Sequence, residues 1–207
     1  MLRLDHVVYA VPDLDEAAVR FRGEFGLDST EGGRHERWGT ANRIVPLGDQ
    51  YLELIAALDE PMAAETAFGR GVLERAARGG GWFTIAAVAD DLDAVTSRLG
   101  IEVDSGSRTR PDGQTVRWRM AGLDDPRREA WMPFFLIWDV SDELHPGRAR
   151  VGHGVRATGL GRVEVGGDAG RLRTWLGGDG LPIRVTDVEP GIHRVAISNA
   201  DGELVIE

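Results

Sequence analysis

The sequence of 207 residues contains no cysteine and no lysine. The lack of cysteine excludes disulfide bonds, thiolate metal ligands and a cysteine nucleophile, and it is typical of an intracellular, cytoplasmic protein. The lack of lysine means that all 24 basic residues are arginine, which excludes Schiff-base chemistry and the lysine of a phosphate-binding loop. No Gly-x-Ser-x-Gly motif is present, so several common kinds of catalytic site are excluded.

Long apolar runs are also missing. No stretch approaches the roughly 18 apolar residues of a transmembrane helix, and the N-terminus has no basic segment followed by an apolar one. We therefore expect neither a membrane span nor a signal peptide. The formal net charge of −10 predicts an acidic surface, which repels a phosphate backbone. We expect a small-molecule ligand rather than nucleic acid or a membrane as the partner.

The first strand and helix give the clearest local pattern. Residues 4–11 alternate as a strand, which places His6 on the same face as Leu4. A proline ends the strand, and a helix over residues 14–25 follows, with Asp13 as its N-cap and the start of a capping box. This strand therefore presents one histidine to a definite side.

The remainder of the first half supplies two more strands. Residues 28–41 are polar and rich in glycine, which predicts a loop that carries His35. Residues 42–47 and 50–57 alternate as two strands of a hairpin, and the second of them carries Glu53 among apolar residues.

An internal repeat decides the predicted architecture. Asp13-Leu14-Asp15 recurs 78 residues later as Asp91-Leu92-Asp93, and residues 81–139 follow the element order of residues 3–57. We predict an α+β fold in which tandem βαβββ modules form curled mixed sheets around a cleft. The predicted units are module 1 (residues 1–58), a helical linker (59–80), module 2 (81–140) and a shorter C-terminal β-α-β-β unit packed on the modules (141–207).

This pattern resembles the vicinal oxygen chelate superfamily, which includes glyoxalases, extradiol dioxygenases, epimerases and bleomycin-resistance proteins. The finer match is to its glyoxalase-like domain proteins. The resemblance is carried by the segments Leu4-Asp5-His6-Val7-Val8-Tyr9-Ala10-Val11-Pro12-Asp13-Leu14, Gly33-Arg34-His35, Gly39-Thr40-Ala41-Asn42, Tyr51-Leu52-Glu53-Leu54-Ile55, Ser107-Arg108-Thr109-Arg110-Pro111-Asp112-Gly113, Arg117-Trp118-Arg119 and Pro133-Phe134-Phe135.

The resemblance implies a divalent metal (Zn, Fe, Mn, Ni or Mg) in the cleft, held by side chains of the first and last strands of both modules. In module 1 those side chains are His6 and Glu53. In module 2 the repeat aligns His6 with Thr84 or Phe83, neither of which is a good ligand, so half of the expected set is present. A third ligand is sought at His35, His145 or His153, all on predicted loops. Without a metal, His6 and Glu53 either contact a ligand directly or serve the structure alone.

Further candidate site residues come from the same segments. Glu53 and His35 are the candidate catalytic groups, since both side chains can transfer protons near neutral pH. Asn42 either orients a polar ligand group or caps a turn.

Arginine and tryptophan supply the remaining candidates for ligand binding. An arginine fork binds a carboxylate or phosphate at two points, which points to Arg110 and Arg117, although each could equally pair with surface acids. Trp118 and Trp138 could stack on a planar ligand or belong to the core.

Three functions are consistent with the sequence. The first is a metal-dependent lyase or isomerase, and the second is a metal-free protein that binds or sequesters a small molecule. The third is a dioxygenase-like iron site, for which His35 would supply the second histidine. Exposed strand edges at the modules are consistent with a homodimer.

Overall fold

The computed structural model describes residues 1–178 and 180–207. The first module consists of β1 (Leu2–Ala10), α1 (Leu14–Phe25), β2 (Thr30–His35), β3 (Thr40–Pro46) and β4 (Tyr51–Ala57). Helices α2 (Glu60–Glu65) and α3 (Ala67–Ala76) lead to the second module, β5 (Gly81–Ala89), α4 (Leu92–Leu99), β6 (Val103–Thr109), β7 (Thr115–Ala121) and β8 (Phe134–Trp138). The C-terminal unit comprises β9 (Ala157–Gly166), α5 (Ala169–Leu176), β10 (Ile183–Thr186), β11 (Gly191–Asn199) and β12 (Gly202–Ile206).

The two modules join into one closed barrel with the strand order β1-β4-β3-β2-β6-β7-β8-β5. Strands β1 and β5 pair antiparallel along most of their length, and β2 meets β6 where Arg34 pairs with Thr109. The α+β fold with curled mixed sheets is confirmed. What the sequence presents as a cleft between modules is the interior of this barrel.

The predicted loop over residues 28–41 is wrong in part, because it contains strand β2. The strand reads Thr-Glu-Gly-Gly-Arg-His and has no apolar alternation that could reveal it. Its pairing with β3 and β6 holds it in the sheet. As a consequence His35 is the last residue of a strand and is buried, rather than on a mobile loop.

The predicted faces of β1 also need a correction. The pairing of β1 with β5 shifts register between Leu4 and His6, which marks a β-bulge. Leu4 therefore packs outside the barrel, whereas His6 points to the interior. Because the bulge re-aims one residue, the adjacent side chains of Asp5 and His6 are both buried and contact each other.

The repeat is visible in how the helices start. Asp13 and Asp91 are the N-caps of α1 and α4, and each side chain accepts a hydrogen bond from the backbone N–H three residues on. Such caps stabilise a helix start by about 1 kcal/mol. The shared capping explains why the Asp-Leu-Asp motif marks both modules.

Two apolar cores lie on either side of the barrel wall. The outer core joins the barrel's outer face, the helices and the C-terminal sheet, and includes Val7, Phe21, Ile85, Phe135, Val163, Leu172, Trp175 and Ile197. The inner core fills much of the barrel with Val8, Trp38, Ile55, Phe68, Val116, Trp118, Met120, Phe134 and Leu136. Among the described residues, no helix has the length and apolar character needed to cross a membrane.

Candidate functional site

The barrel interior keeps a small cavity of about 30 Å³, room for roughly two water molecules. One side of the cavity is polar and the other is apolar and largely aromatic. The residues that line it are His6, Val8, His35, Trp38, Asn42, Tyr51, Glu53, Phe68, Arg108, Trp118, Met120, Leu123, Phe134, Leu136 and Trp138. This division into a polar and an apolar side is the usual form of a small-molecule site.

Glu53 lies at the centre of the polar side. Strand β4 carries its carboxylate inward, where Asn42 Nδ2 donates a hydrogen bond of 2.6 Å to Glu53 Oε1. His6 Nε2 is 3.6 Å from Glu53 Oε2, and His35 Nε2 is 3.8 Å from Glu53 Oε1. All four side chains are buried. The two imidazole nitrogens therefore face one carboxylate from both sides without hydrogen bonding to it.

Asp5 fixes the orientation of His6 from behind. Burial alone raises the pKa of Asp5, but hydrogen bonds from His145 and His6 outweigh it and lower this pKa from 3.8 to about 2. The carboxylate is therefore ionised at neutral pH, so His6 Nδ1, which lies 2.6 Å from Asp5 Oδ2, is the donor. A neutral His6 then presents an unprotonated Nε2 to the cavity. Trp138 Nε1 and His145 Nε2 approach the other carboxylate oxygen, Oδ1, each at 3.1 Å.

His35 is held in the neutral form. Burial lowers its pKa from 6.5 to about 4, the nearby Glu53 partly opposes this shift, and Arg108 adds to it. Its Nδ1 lies 3.1 Å from Thr40 Oγ1, which leaves Nε2 facing Glu53. At neutral pH this imidazole is therefore an uncharged group that can accept a proton or bind a metal.

The burial of His35 predicts a pH dependence of stability. The unfolded chain takes up a proton at this residue near pH 6.5 and the folded chain only near pH 4, so folding stability falls as the pH drops through this window. The shift corresponds to about 3 kcal/mol. Urea unfolding at pH 7 and pH 4.5 should show this loss in the wild type and a smaller loss in His35→Gln. The exposed His193→Gln is the control, and equal pH dependence in wild type and His35→Gln would contradict the assignment.

Arg108 and Asn42 complete the polar side from the two modules. Strand β6 carries Arg108 inward, where Nη1 donates to Asn42 Oδ1 at 3.3 Å. Burial lowers the pKa of Arg108, while Tyr51 and Glu53 raise it. Gly32 in strand β2 lies directly against this pair, and a side chain there would collide with both Asn42 and Arg108. Strand β2, which the sequence pattern does not predict, thus leaves space for Asn42 and Arg108 through its glycine at position 32.

Aromatic rings form the opposite wall. Trp118 lies between Trp38 and Trp138, with ring centroids 6.2 and 5.5 Å away. Phe68 extends the wall from helix α3, 5.0 Å from Trp38. The ring of Trp118 lies directly against Gly106 of the neighbouring strand, where a Cβ would collide with the ring. Gly106 therefore leaves the space that the Trp118 ring occupies.

Strand pairing shows which residues of module 2 correspond to the polar residues of module 1. In β1 and β4, His6 pairs with Tyr51 and Val8 with Glu53. In β5 and β8, Ala86 pairs with Phe134 and Val88 with Leu136. The N-caps Asp13 and Asp91 keep the two modules 78 residues apart, so His6 corresponds to Thr84 and Val8 to Ala86. Because Val8 pairs with Glu53 and Ala86 with Phe134, the counterpart of Glu53 is Phe134. Module 2 therefore has an apolar ring where module 1 has the carboxylate.

The structure brings most of the sequence-derived candidates together. His6, His35, Asn42, Glu53, Trp118 and Trp138 all line the cavity. Arg110 and Arg117 do not: Arg110 pairs with Asp112 in the turn, and Arg117 lies exposed outside the barrel. Strand alternation explains the second case, since only one face of β7 can line the cavity and Trp118 occupies it.

Three residues at or behind the cavity are absent from the sequence-derived candidates: Asp5, Tyr51 and Arg108. Of the three histidines considered as a third metal ligand, His35 faces Glu53 and His145 contacts Asp5 instead. His153 lies outside the cavity, where it accepts from Asp28 N and contacts Pro46 O. Across residues 1–178 and 180–207, no group of three or more His, Asp or Glu side chains has the arrangement of a metal site.

The chain thus folds into a closed barrel of two βαβββ modules with a polar pocket in module 1. A model of the glyoxalase-like domain matches residues 4–179 of this chain. The chain therefore belongs to the glyoxalase-like domain family, which confirms the resemblance to the vicinal oxygen chelate superfamily. No match is found among curated proteins.

Solved structures share the fold. A hypothetical protein from Staphylococcus aureus aligns with a TM-score of 0.68 and 20% identity over 99% of this chain and 84% of its own. Methylmalonyl-CoA epimerase from Mycobacterium tuberculosis aligns with a TM-score of 0.46 and 24% identity over 64% of this chain and 85% of its own. A methylmalonyl-CoA epimerase in complex with methylmalonyl-CoA and NH4+ gives 0.47 and 22%, over 66% and 94%. At these identities the likeness concerns the fold alone.

Proposed function

We propose that the protein is an enzyme of the lyase or isomerase type that binds a small molecule in the barrel and moves a proton on it. The observation that carries this proposal is the buried row Asp5–His6–Glu53–Asn42 beside the cavity. A purely structural core gains little from such groups, because burying charged side chains costs free energy. Perturbed, buried titratable groups beside a cavity are typical of active sites.

His6 and Glu53 can share the proton transfer. Asp5 keeps the His6 Nδ1 protonated, so Nε2 is free to accept a proton, and Asn42 holds the Glu53 carboxylate. Nε2 and Oε2 are 3.6 Å apart, so one group can take a proton from a ligand atom and the other can return one to a neighbouring atom. The aromatic wall lowers the polarity around the cavity, which strengthens the electrostatic interactions between these groups and a ligand. His35 offers a second neutral acid–base group.

The donors on the polar side are of the kinds that bind a divalent metal ion, and these side chains would have to reorient to surround one, because among the described residues no three such groups have the arrangement of a metal site. His6 and Glu53 would be ligands, and His35 would be the third, since both histidines direct Nε2 toward the Glu53 carboxylate. The bond from His6 Nδ1 to Asp5 is the second contact that metal-bound histidines usually make. A bound ion would polarise a ligand oxygen and stabilise the negative charge that develops on it.

Metal analysis and proton exchange together test this proposal. Protein purified without chelators should contain about one equivalent of a divalent transition metal, and His6→Ala and Glu53→Ala should lose it. The exposed His193→Ala is the control and should keep the metal. Small carbonyl compounds incubated in D2O and followed by NMR should exchange a carbon-bound proton with the wild type and not with Glu53→Ala.

A metal-free small-molecule binding protein is the second candidate. It is favoured by the aromatic wall and by Phe134, which lies where module 2 would supply the counterpart of Glu53 to complete a metal site. The wild type would then be free of metal and catalyse no exchange, while a small aromatic compound raises its melting temperature. That combination of results would overturn the enzyme proposal.

A further inference from the structure

Arg108 is a buried cation whose hydrogen-bonding capacity is largely unused. Its side chain is 5% exposed, and its one hydrogen bond among the described residues goes from Nη1 to Asn42 Oδ1. Its Nε is buried without a partner, and no carboxylate of the described residues lies within 4.0 Å of its guanidinium nitrogens. An unsatisfied buried donor costs roughly 1–3 kcal/mol, and more when charged.

A second largely buried arginine shows how this chain satisfies a structural one. Arg128 donates to the carbonyl oxygens of Leu123 and Met132 and to Thr84 Oγ1, using Nε and both terminal nitrogens. It binds the segment between β7 and β8 to β5 and does not line the cavity. Arg108 differs on both counts, since it lines the cavity and leaves Nε free.

We propose that Arg108 is the site of a carboxylate group on the ligand, so that the protein acts on small carboxylic acids. A guanidinium presents its N–H groups as a planar fork that matches the two oxygens of a carboxylate. The low polarity around Arg108 strengthens such a pair, and the pairing would satisfy the unpartnered donor. Phosphate is tetrahedral and larger, and the planar carboxylate fits the narrow cavity better. This proposal rests on the proposed function, because it names the ligand of the same site.

The position of Arg108 also orients such a ligand. The amide of Asn42 accepts from Arg108 and donates to Glu53, so it places the guanidinium and the catalytic carboxylate on either side of one side chain. A carboxylate bound to Arg108 directs the rest of the molecule toward Glu53 and His6 on one side and the tryptophans on the other. The carbon next to the carboxylate then lies nearest the proton-transferring groups.

Matched probe pairs test the carboxylate preference. Acetate against acetamide, and benzoate against benzamide, differ in charge and little in shape. In NMR titrations of the full chain in EDTA, the wild type should bind each acid at least about tenfold more tightly than its amide. Arg108→Met should lose this preference. Arg110→Met removes the neighbouring, half-exposed arginine that pairs with Asp112, and it should keep the preference.

Several results would overturn the proposal. Equal binding of acid and amide by the wild type would do so, as would an unchanged preference in Arg108→Met. Inorganic phosphate that binds more tightly than acetate would show a phosphate site instead. Should Arg108→Met fail to fold, Arg108→Lys keeps the charge without the planar fork and should show a reduced preference. Because EDTA removes metal and no turnover is measured, failure here is separate from failure of the metal and proton-exchange tests.

Discussion

Replacing Asp5 with asparagine is expected to lower the free energy of unfolding by about 1–3 kcal/mol, the cost of leaving a buried hydrogen-bond donor without its partner. The carboxylate receives hydrogen bonds from His6, Trp138 and His145 and is 3% exposed. An asparagine amide keeps one acceptor oxygen and turns two N–H donors toward rings that already donate. Urea unfolding at pH 7 measures the loss. Asp90→Asn is the control, because Asp90 pairs with Arg3 at the surface, where such pairs contribute at most about 1 kcal/mol.

The same substitution has a pH signature. The pKa of Asp5 is lowered to about 2 in the folded chain from an ordinary value of 3.8. The stability that the ionised carboxylate contributes is therefore present above about pH 4 and is lost as the pH falls toward 2. The difference between wild type and Asp5→Asn should shrink across this window. A constant difference would show that Asp5 acts through packing rather than through its charge.

Asp5→Asn should also affect the proposed metal site. Without the carboxylate, the His6 Nδ1 no longer has a partner that fixes it as the donor, and the proton can move to Nε2. Loss of such an outer contact typically costs 10- to 100-fold in metal affinity. Metal content of Asp5→Asn at limiting zinc, compared with Asp90→Asn, would show this effect. An unchanged zinc affinity would show that Asp5 does not support metal binding.

Much of the architecture can be predicted from the sequence because the repeat consists of short motifs that determine local structure. The Asp-Leu-Asp caps and the alternating strands of each module depend on residues close in sequence. No such local motif predicts strand β2 or the bulge after Leu4. Strand β2 is held by pairing with distant strands, and the bulge exists only in the register of β1 against β5. Both are tertiary features, and both position site residues.

The site shows the same division. His6, Glu53 and Asn42 lie on strands in which side chains alternate clearly between the two faces. The face that each of them occupies can therefore be predicted. Arg108 and Arg110 are two residues apart, so strand alternation alone would place both side chains on the same face. They differ because β6 ends at Thr109, which leaves Arg110 outside the strand. Contact between His145 and Asp5 joins residues far apart in sequence. No local pattern carries that information.

The C-terminal unit is joined to the barrel through Trp175 of α5. This residue is 5% exposed and its ring stacks on Phe135 of β8, with centroids 5.7 Å apart. Its Nε1 donates to the carbonyl oxygen of Pro133 at 2.7 Å. One contact is made on the strand that carries Phe134 and Trp138 into the cavity, and the other on the residue just before it. The outer core thus connects the C-terminal sheet to the aromatic wall.

Trp175→Ala is therefore expected to destabilise the whole chain by about 3–5 kcal/mol, the usual cost of truncating a buried tryptophan. Because the outer core includes residues of both the barrel and the C-terminal unit, urea unfolding followed by circular dichroism should keep a single transition at lower urea. Val188→Ala, at an exposed apolar position, should change the midpoint little. A split into two transitions, with one at the wild-type midpoint, would show that the barrel folds independently of the unit that packs on it.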